Sequence, residues 1–552
     1  MTETSHARPG EPVLTIRDLS VAFTTTRGAV EAVKHVSLEI AAGETVAIVG
    51  ESGSGKSTLA ASVNRLLPDN GRITSGTITL GGLDITAASE KAMTAIRGNR
   101  IGMVPQDPMT NLNPVMRIGA QIVEALEVHG RARGQAARDE AIRLLDQAGI
   151  ADAAARFRQY PHEFSGGMRQ RVLIAMALAC RPEVLLADEP TSALDVTVQR
   201  LVLDQMGQLA SDVGAAVLLI THDLGLAAER ADRVVVMYRG ELVESGPAAE
   251  LVASPRHEYT HRLLAAAPGI SSAKAAPARA ADDAAAATGT APEVLLEVAG
   301  AVKKYRIRGR SEPLMAVDGV DLAVPRGQTV AIVGESGSGK STTARLALRL
   351  EQADGGTIRY RGADVSGLRG RELLAFRRSV QPVFQNPYAS LDPRYTIEQV
   401  VGEPLRVHKI GDVASRRQAV TELLDKVALP VSFADRHPHE LSGGQRQRVA
   451  IARALALNPE LVVMDEAVSA LDVLVQHQIL ELMRSLQDEL GLSYLFISHD
   501  LAVVRQVSHL VYVMHSGRIV ESGDPDTIFR APREEYTRQL IAAIPGQNLT
   551  LA

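Results

Sequence analysis

The stretch AIVGESGSGKST occupies residues 47–58 and occurs again, unchanged, at residues 331–342. Each copy contains the pattern Gly-x-x-x-x-Gly-Lys-Ser, whose glycines let the backbone turn tightly and present successive N–H groups to a phosphate. Each copy also continues an apolar run, TVAIVG at residues 45–50 and 329–334, which is typical of a buried strand. The stretch therefore predicts a strand, a phosphate-binding loop and a helix, and predicts them twice.

The duplication extends along the whole chain. The pattern SGG-x-RQR occurs at residues 165–171 and 442–448, and SALDV occurs at residues 192–196 and 469–473. A His-Asp-Leu triplet follows an apolar run at residues 222–224 and 499–501. Because solenoid repeats are only ~20–50 residues long, a spacing this large indicates two duplicated domains.

A segment of different composition separates the two copies. Residues 271–293, SSAKAAPARAADDAAAATGTAPE, are rich in Ala, Pro, Gly and Thr and contain almost no large apolar side chains. Such a segment cannot form a core, and we interpret it as a flexible linker. The predicted organisation is an N-terminal tail (1–12), a first domain (13–270), the linker (271–293), a second domain (294–546) and a C-terminal tail (547–552).

The predicted fold class is α/β. The runs VLLADE and LVVMDE, like AVLLITHD and YLFISHD, are continuous apolar segments of the kind found in buried parallel strands. The alternating segment VLTIRDLSVAF, before residue 45, suggests an additional antiparallel layer. Segments 118–160 and 396–436 carry helical apolar spacing. Each domain should thus combine an α/β core with buried parallel strands, an antiparallel β layer and a helical part.

Composition excludes several classes of protein. The chain has 552 residues, and 59 Lys and Arg against 64 Asp and Glu leave a net charge of −5, which argues against a nucleic-acid partner. The single cysteine, Cys180, excludes a disulfide framework and any site that needs several Cys ligands. We expect no secretory signal and no membrane span, because no apolar run reaches ~18–20 residues.

The two loops predict ATP binding. Lys56 and Lys340 would place positive charge at the β- and γ-phosphates, while Ser57 and Ser341 would hold Mg²⁺. The residues assigned to ATP binding in these loops are Gly50, Glu51, Ser52, Gly53, Ser54, Gly55, Lys56, Ser57 and Thr58 in the first half, and Gly334, Glu335, Ser336, Gly337, Ser338, Gly339, Lys340, Ser341 and Thr342 in the second.

Two acids end a predicted strand in each half. Asp188 and Asp465 are placed to hold Mg²⁺ through water, and the following Glu189 and Glu466 are placed to polarise an attacking water. Paired acids after a strand often only cap a helix or remain solvated. Their occurrence together with a phosphate loop in both halves favours the catalytic interpretation.

The segments FSGGMRQR and LSGGQRQR distinguish this chain from other nucleotide-binding proteins with a glycine loop. Ser-Gly-Gly at the start of a helix forms a second anion-binding terminus. Here the chain resembles the ATP-binding-cassette (ABC) family, whose signature is LSGGQ, over nearly everything outside the linker and the two ends. Phe164 and Met168 depart from that signature, and Ala467-Val468 replaces the Pro190-Thr191 of the first half.

The resemblance implies two tandem nucleotide-binding domains, each with a RecA-like α/β core, an antiparallel β layer and a helical subdomain, and it implies further residue roles. Gln106 and Gln385 match the Q-loop glutamine, which contacts Mg²⁺ and senses the permease. His222 and His499 match the histidine that contacts the γ-phosphate, although a lone His after a strand is usually a surface residue. Phe23 and Tyr305 match the aromatic residue on which adenine stacks, with a strand-core aromatic as the alternative.

The family arrangement is head-to-tail, so that each phosphate loop faces the signature of the other domain. The first ATP site would then combine Lys56, Asp188, Glu189 and His222 with Ser442, Gly443 and Gly444. The second would combine Lys340, Asp465, Glu466 and His499 with Ser165, Gly166 and Gly167. The expected Mg²⁺ ligands are Ser57, Gln106, Asp188, Ser341, Gln385 and Asp465. No departure from the family pattern removes a phosphate ligand, so both sites are expected to hydrolyse ATP.

Finer similarities indicate the kind of ABC protein. DPMTNLNP, NPYASLDP and the Pro-His-Glu before each signature resemble the dipeptide/oligopeptide/nickel importer subfamily. SPRHEYTHRLLAAAPG (254–269) and APREEYTRQLIAAIPG (531–546) resemble its C-terminal extension, where many members carry a cysteine cluster. No cysteine follows Cys180, so no iron–sulfur cluster is predicted. A ribosome-associated ABC ATPase is the alternative, whereas ABC proteins of DNA repair would need zinc cysteines or long heptad arms.

The expected function is that of a fused, two-domain ATPase of a peptide importer. It would lie peripherally on the cytoplasmic face of the cell (inner) membrane, beneath two different permease subunits that receive substrate from an extracytoplasmic binding protein. Nickel chelates, glutathione and peptide-like antibiotics remain open as cargo. The halves diverge after the Q-loop glutamines, so Met109, Met116 and Ile118 are expected to contact one permease, and Tyr388 and Tyr395 the other.

Overall fold

Each half of the chain forms one antiparallel and one largely parallel sheet, in a computed structural model that describes residues 11–25, 28–192, 194–267, 293–306, 312–386, 390–469 and 471–547. The described residues divide into two compact units, one mainly before and one mainly after the predicted linker. Linker residues 271–292, tail residues 1–10 and 548–552, and Tyr388 lie outside the described residues. The exact domain limits stay a prediction.

The strands of the first half form two sheets. They are β1 (Pro12–Thr25), β2 (Gly28–Ala41), β3 (Thr45–Val49), β4 (Gly71–Leu80), β5 (Leu83–Asp84), β6 (Ile101–Val104), β7 (Val184–Asp188), β8 (Ala216–Thr221), β9 (Arg233–Tyr238) and β10 (Glu241–Pro247). Within the described residues, an antiparallel sheet has the order β2-β1-β4-β5 and a second sheet the order β10-β9-β3-β8-β7-β6. Only β10 runs antiparallel to its neighbour in the second sheet.

The second half repeats this topology. Its strands are β11 (Val294–Tyr305), β12 (Leu314–Pro325), β13 (Thr329–Val333), β14 (Gly355–Tyr360), β15 (Ala363–Asp364), β16 (Val380–Val383), β17 (Leu461–Asp465), β18 (Ser493–Ser498), β19 (Leu510–His515) and β20 (Arg518–Gly523). In the part of the chain that is described, the sheet orders are β12-β11-β14-β15 and β16-β17-β18-β13-β19-β20.

The helices also correspond between the halves. Those of the first half are Lys56–Val63, Glu90–Ile96, Pro108–Asn111, Ile118–Val128, Gly134–Gln147, Ala153–Arg156, Gly166–Leu178, Val196–Val213, Leu224–Arg230, Ala248–Ala253 and Glu258–Ala266. Those of the second half are Lys340–Ala347, Gly370–Ser379, Ile397–Val407, Val413–Lys426, Gly443–Leu455, Val473–Leu490, Leu501–Val507, Pro525–Arg530 and Glu535–Ala542. Short 3-10 turns occur at Pro161–Glu163, Val431–Phe433 and Pro438–Glu440. Over the described ranges, no helix has both the length and the apolar character required to cross a bilayer.

The apolar runs become the buried strands that the sequence predicts. Every residue of β8 is buried, and in β7 only the terminal Asp188 is partly exposed. Apolar side chains of the antiparallel sheet pack against the parallel sheet, for example Leu14 against the layer that contains Ile48. The predicted α/β fold class is confirmed, including the antiparallel layer and the helical segments.

This topology positions the site. Strands β3, β8 and β7 are parallel neighbours, as are β13, β18 and β17. The phosphate loop follows β3, the paired acids end β7, and His222 follows β8. Because parallel strands end at the same edge of a sheet, side chains separated by more than a hundred residues meet there.

Candidate functional site

Glycine is required where the phosphate loop enters its helix. Gly55 and Gly339 have φ angles of 104° and 108°, a region that L side chains rarely adopt. A Cβ atom on Gly55 would also collide with the carbonyl oxygen of Ala32, and one on Gly339 with that of Ala316. The turn therefore directs the N-terminus of helix Lys56–Val63, with its unpaired N–H groups, toward the loop.

The loop lysines are buried against the loop's own backbone. The Nζ of Lys56 donates to the carbonyl oxygens of Gly50 at 2.7 Å and Glu51 at 2.9 Å. Lys340 makes the two corresponding bonds at 2.8 Å each. Burial lowers the pKa of Lys56, although the nearby carboxylate of Glu189 opposes that shift. The ammonium is thus held at the loop, where it can reach an incoming phosphate.

The predicted metal-binding oxygens are adjacent. The hydroxyl of Ser57 donates to Asp188 Oδ1 at 3.0 Å, and that of Ser341 donates to Asp465 Oδ1 at 2.8 Å. Burial raises the pKa of both aspartates above the ordinary value. Hydroxyl, carboxylate and amide oxygens are hard ligands of the kind that Mg²⁺ prefers.

Magnesium would need ligands from the nucleotide as well. No group of three His, Cys, Asp or Glu side chains capable of holding a metal was found among the described residues. Mg²⁺ usually keeps several waters and binds through one or two carboxylates plus phosphate oxygens, so the donor set fits that ion. In the described parts of both loops, the buried hydroxyls of Ser54 and Ser338 have no hydrogen-bond partner, which also fits a site shaped for a polar ligand.

The glutamate that follows each strand-ending aspartate has a glutamine and a histidine as partners, on different oxygens in Glu189 and on the same oxygen, Oε2, in Glu466. Gln106 Nε2 donates to Glu189 Oε2 at 2.8 Å, and His222 Nδ1 lies 3.3 Å from Glu189 Oε1. In the second half, Gln385 Nε2 lies 2.7 Å and His499 Nδ1 3.5 Å from Glu466. The structure therefore brings together the three residue types that the sequence assigned separately to catalysis, the Q-loop and the γ-phosphate.

The acid and the histidine change each other's ionisation. Burial raises the pKa of Glu189, but the hydrogen bond and charge of His222 lower it more, so this pKa lies below its ordinary value. Burial lowers the pKa of His222, but Glu189 raises it more, so that pKa lies above its ordinary value. Glu466 and His499 show the same two directions. Each contact thus favours the ionised form of the carboxylate and the protonated form of the imidazole.

The backbone of this acid is strained, which the sequence did not indicate. Glu189 and Glu466 have φ angles of 44° and 48°, in the left-handed region that is uncommon for residues other than glycine. Their N–H groups donate to the carbonyls of Ile220 at 2.9 Å and Ile497 at 3.0 Å. Such conformations cluster at functional sites. Their recurrence at the same position of both halves supports a functional role for this acid.

The signature segments begin helices, as predicted. The hydroxyl of Ser165 caps helix Gly166–Leu178 by accepting from the N–H of Met168 at 3.4 Å. Ser442 caps Gly443–Leu455 in the same way, and there the Gln445 side chain also accepts from the N–H of Ser442 at 3.0 Å. Replacement of this glutamine by Met168 therefore removes one reciprocal capping bond from the first half.

The two aromatic residues proposed for adenine are half-buried. Phe23 lies on β1 beside Gly71 of β4, and a side chain on Gly71 would collide with its ring. Tyr305 ends β11 and donates its hydroxyl to Glu351, while Thr342 of the phosphate loop also contacts that hydroxyl. Tyr305 is thereby placed next to the loop, whereas no described contact joins Phe23 to it.

The prediction that Ile118 contacts a permease is wrong. Ile118 is 0% exposed, because it opens helix Ile118–Val128 with its side chain in the core. Met109 is 63% exposed and Val115, which the sequence did not single out, is 80% exposed. Within residues 107–118, the exposed large apolar side chains are therefore Met109 and Val115.

Sequence reasoning also missed one pair of contacts. The hydroxyl of Tyr259 accepts from the N–H of Glu51 at 2.8 Å, and that of Tyr536 accepts from Glu335 at 2.9 Å. Both tyrosines belong to the EYT triplet shared by the two C-terminal extensions. That repetition was the available signal, but a sequence does not show what a residue contacts 208 positions away.

Comparison with known proteins agrees with this architecture. The family "ABC transporter" matches residues 33–192 and 317–469, and the family "Oligopeptide/dipeptide transporter, C-terminal region" matches residues 243–292 and 520–549. The second match supports the transporter interpretation over the ribosome-associated alternative.

Relatives match over nearly the full length. The glutathione import ATP-binding protein GsiA of Salmonella choleraesuis (strain SC-B67) is 45% identical over 557 residues, which cover 97% of this chain and 89% of that protein. The GsiA protein of Pectobacterium atrosepticum is 44% identical over 97% of this chain and 90% of its own length. A solved dimeric ATP-binding cassette with bound ADP and Pi is 29% identical, covers 43% of this chain and 98% of its own, and has a TM-score of 0.39. The chain belongs to the ABC transporter family, as a two-cassette, ATP-hydrolysing subunit of the oligopeptide/dipeptide transporter type.

Proposed function

We propose that this chain is the motor of an importer for small peptides, with glutathione as the leading cargo. The cargo assignment is supported by the relatives, whose printed name is glutathione import ATP-binding protein. One observation supports the motor assignment: Gln106 and His222 both contact Glu189, close to the phosphate loop. The corresponding residues of the second half make the same contacts. Cargo would contact the permeases and the binding protein, so the ATPase does not select it.

We further propose two ATP sites, each with one phosphate loop and the signature of the other half. Lys56 would bind the β- and γ-phosphates, and Ser442 with its helix N-terminus would cover the γ-phosphate from the opposite side. Ser57, Asp188 and Gln106 would hold Mg²⁺, which when bound neutralises charge on the phosphate oxygens. The second site would use Lys340 and the Ser165 helix in the same roles.

The chain's own side chains supply the remaining steps. Glu189 would orient the attacking water and accept its proton, which its lowered pKa permits at neutral pH because the carboxylate is ionised there. His222, held charged by Glu189, would donate a hydrogen bond to the γ-phosphate. Because the same carboxylate binds Gln106, movement of the Q-loop would change the position of the catalytic acid.

Replacing each proposed catalytic glutamate by glutamine tests whether both ATP sites are active. Glu189→Gln and Glu466→Gln keep the shape of the side chain and remove its ability to accept a proton, so each should lower ATP turnover by about 10²–10⁴-fold at its site. ATP binding should stay close to the parent value. Turnover in the assembled transporter and ATP affinity of the full chain are the two measurements.

A matched control separates this loss from a general charge effect. Glu250→Gln changes an exposed glutamate of helix Ala248–Ala253 and should leave turnover unchanged. If either active-site variant keeps full transport-coupled turnover, that site does not catalyse and the two-site proposal is wrong.

We propose that the two halves contact two different permease subunits. Exposed Met109 and Val115 give the first half an adaptable apolar surface after its Q-loop. At the corresponding part of the second half, Tyr395, Glu398 and Arg406 line a groove of about 400 Å³. Similar catalytic residues with different neighbouring surfaces are what two distinct partners require.

Exchange of the two segments tests this asymmetry. Replacing residues 107–118 with 386–397, and the reverse, retains Ile at the buried position 118 because Ile397 corresponds to it. Transport should be lost and ATPase activity uncoupled, while ATP affinity stays normal. Full transport after the exchange, or a purified complex with two copies of one permease, would overturn the proposal.

The remaining assignments concern location and cargo. We propose a peripheral location on the cytoplasmic face of the membrane, reached through the permeases, and an extracytoplasmic binding protein as substrate donor. Absence of an iron–sulfur cluster stays a prediction from the cysteine count. Identification of the ligand that co-purifies with the partner binding protein tests the cargo: glutathione or a short peptide supports it, and a nickel chelate contradicts it.

A further inference from the structure

The C-terminal extension of the first half reaches the phosphate loop. Tyr259 is 2% exposed, and its hydroxyl accepts a hydrogen bond from the N–H of Glu51, the second residue of the Gly50–Ser57 loop, at 2.8 Å. Its ring stacks on Tyr238 at the end of β9, with ring centres 4.2 Å apart. The hydroxyl therefore lies at one backbone position of the loop while the ring is held by the sheet.

The second half repeats the contact with a different stacking partner. The Tyr536 hydroxyl accepts from the N–H of Glu335 at 2.9 Å, and its ring stacks on His515 with centres 4.1 Å apart. The hydroxyl-to-loop bond is common to both halves, whereas the ring below it differs. Both halves thus have the hydrogen bond from the phosphate-loop N–H to the tyrosine hydroxyl.

The extension itself is firmly attached near the tyrosine. In the first half, Glu244 of β10 accepts from the N–H groups of Arg256 at 2.7 Å and His257 at 3.0 Å, directly before helix Glu258–Ala266. Leu263 and Leu264 of that helix are buried in the core. Glu521 makes the corresponding bonds in the second half. The tyrosine hydroxyl is therefore a fixed point to which the loop is attached.

We propose that Tyr259 and Tyr536 are positioning residues for the phosphate loops, and that they couple the C-terminal extensions to nucleotide binding. The proposal rests on the assignment of these loops to ATP. A phosphate loop binds its ligand through N–H groups that must point in a set direction. Fixing the N–H of the second loop residue orients the peptide groups that follow. By linkage, nucleotide binding must then stabilise the extension by the same factor with which the extension favours binding.

Tyrosine-to-phenylalanine substitution isolates the hydroxyl. Tyr259→Phe is tested in the full chain carrying Lys340→Ala, so that the first loop dominates binding, and Tyr536→Phe is tested with Lys56→Ala. Removing one hydrogen bond to a half-buried N–H should weaken binding of the non-hydrolysable analogue AMP-PNP with Mg²⁺ by about 3- to 10-fold. Titration calorimetry gives the affinity.

A second readout separates positioning from simple stability. In the parent, AMP-PNP should slow amide hydrogen exchange in residues 258–266, and Tyr259→Phe should abolish that slowing. Tyr494→Phe is the matched control, because its buried hydroxyl donates to the carbonyl of Met483 at 3.1 Å, away from the loops. This control should change thermal stability without changing AMP-PNP affinity.

The outcomes distinguish the two levels of the proposal. If Lys56→Ala with Lys340→Ala binds AMP-PNP as well as the parent, the assignment of the loops to ATP is wrong. If that double variant loses binding but Tyr259→Phe and Tyr536→Phe retain parental affinity and protection, the positioning role alone is wrong. A fall in melting temperature with unchanged affinity likewise assigns the tyrosines a purely structural role.

Discussion

At the residue scale, the central feature is a carboxylate shared by two partners. Glu189 binds Gln106 through one oxygen and faces His222 with the other. The glutamine belongs to the segment expected to contact a permease, and the histidine to the end of β8. A single side chain therefore connects the segment after β6 with the end of β8, and its left-handed backbone conformation helps to set where that connection lies.

The ionisation of His222 should depend on this carboxylate. Glu189→Gln removes the negative charge but leaves the burial, so the pKa of His222 should fall from above its ordinary value of ~6.5 to below it. Because a raised histidine pKa stabilises only while the ring is protonated, the parent pair should lose this stabilisation as the pH rises through the folded-state pKa. NMR titration of the labelled histidine ring measures both effects.

The second half provides the control for that titration. Glu466→Gln should lower the pKa of His499 and leave that of His222 unchanged, since among the described residues each acid is paired with the histidine of its own half. Equal titration of His222 with and without the Glu189 carboxylate would show that the contact does not determine its charge.

At the element scale, the signature helices combine a proposed ligand-binding end with close packing. The second glycine of each signature faces the long helix that follows the paired acids: a Cβ atom on Gly444 would collide with Val475, and one on Gly167 with Val198. The first glycine is less constrained, since a Cβ atom on Gly443 would lie 3.6 Å from Leu471. The motif therefore needs one glycine for packing and leaves the other at the exposed N-terminus of the helix.

Alanine substitution at the two positions should give opposite results. Gly444→Ala should destabilise the second half by about 1–3 kcal/mol, because the stiff β-branched Val475 must shift to admit the methyl group. Gly443→Ala should have little effect or stabilise slightly, since alanine favours the helix over glycine. Denaturant unfolding of the full chain compares them. Equal stability of the two variants would contradict the packing argument.

At the scale of the whole molecule, the chain is a duplication with two matched sets of proposed catalytic residues and two different segments after the Q-loops. Equivalent loops, acids and histidines recur with distances that agree within a few tenths of an ångström, for example 2.8 and 2.7 Å for the glutamine-to-glutamate bonds. The segments after the Q-loops differ in sequence instead, MTNLNPVMRIG in the first half and YASLDPRYTIE in the second. If the two halves contact different permeases, as proposed, their fusion in one chain would place one of each kind in every assembled transporter.

The linker should act as a tether only. A protease site inserted within residues 271–293 and cut in the assembled transporter should leave ATPase activity near the uncut level, because the composition of this segment favours a flexible connection that raises effective concentration. The uncut insertion variant is the control. Immediate loss of activity on cutting would show that the segment has a structural role.

The sequence alone determined the fold class, the duplication, the phosphate loops, the paired acids and the histidines that follow β8 and β18. These follow from local patterns, because hydrophobic periodicity and motif spacing encode strand, turn and helix within a few tens of residues. The buried strands accordingly lie near the predicted positions, and the signature helices begin where the Ser-Gly-Gly pattern predicts.

Only the tertiary structure decided which side chains meet and which surface remains exposed. The Gln106–Glu189 contact spans 83 positions and the Tyr259–Glu51 contact 208, distances over which a pattern in the sequence carries no geometric information. The burial of Ile118 was likewise decided by packing, because helical periodicity identifies an apolar face without showing whether a neighbouring element covers it. Local motifs were therefore enough to predict which residues bind phosphate and which could act on it. The contacts between those motifs could be seen only in the folded chain, because parallel strands and returning helices bring distant residues to one edge of a sheet.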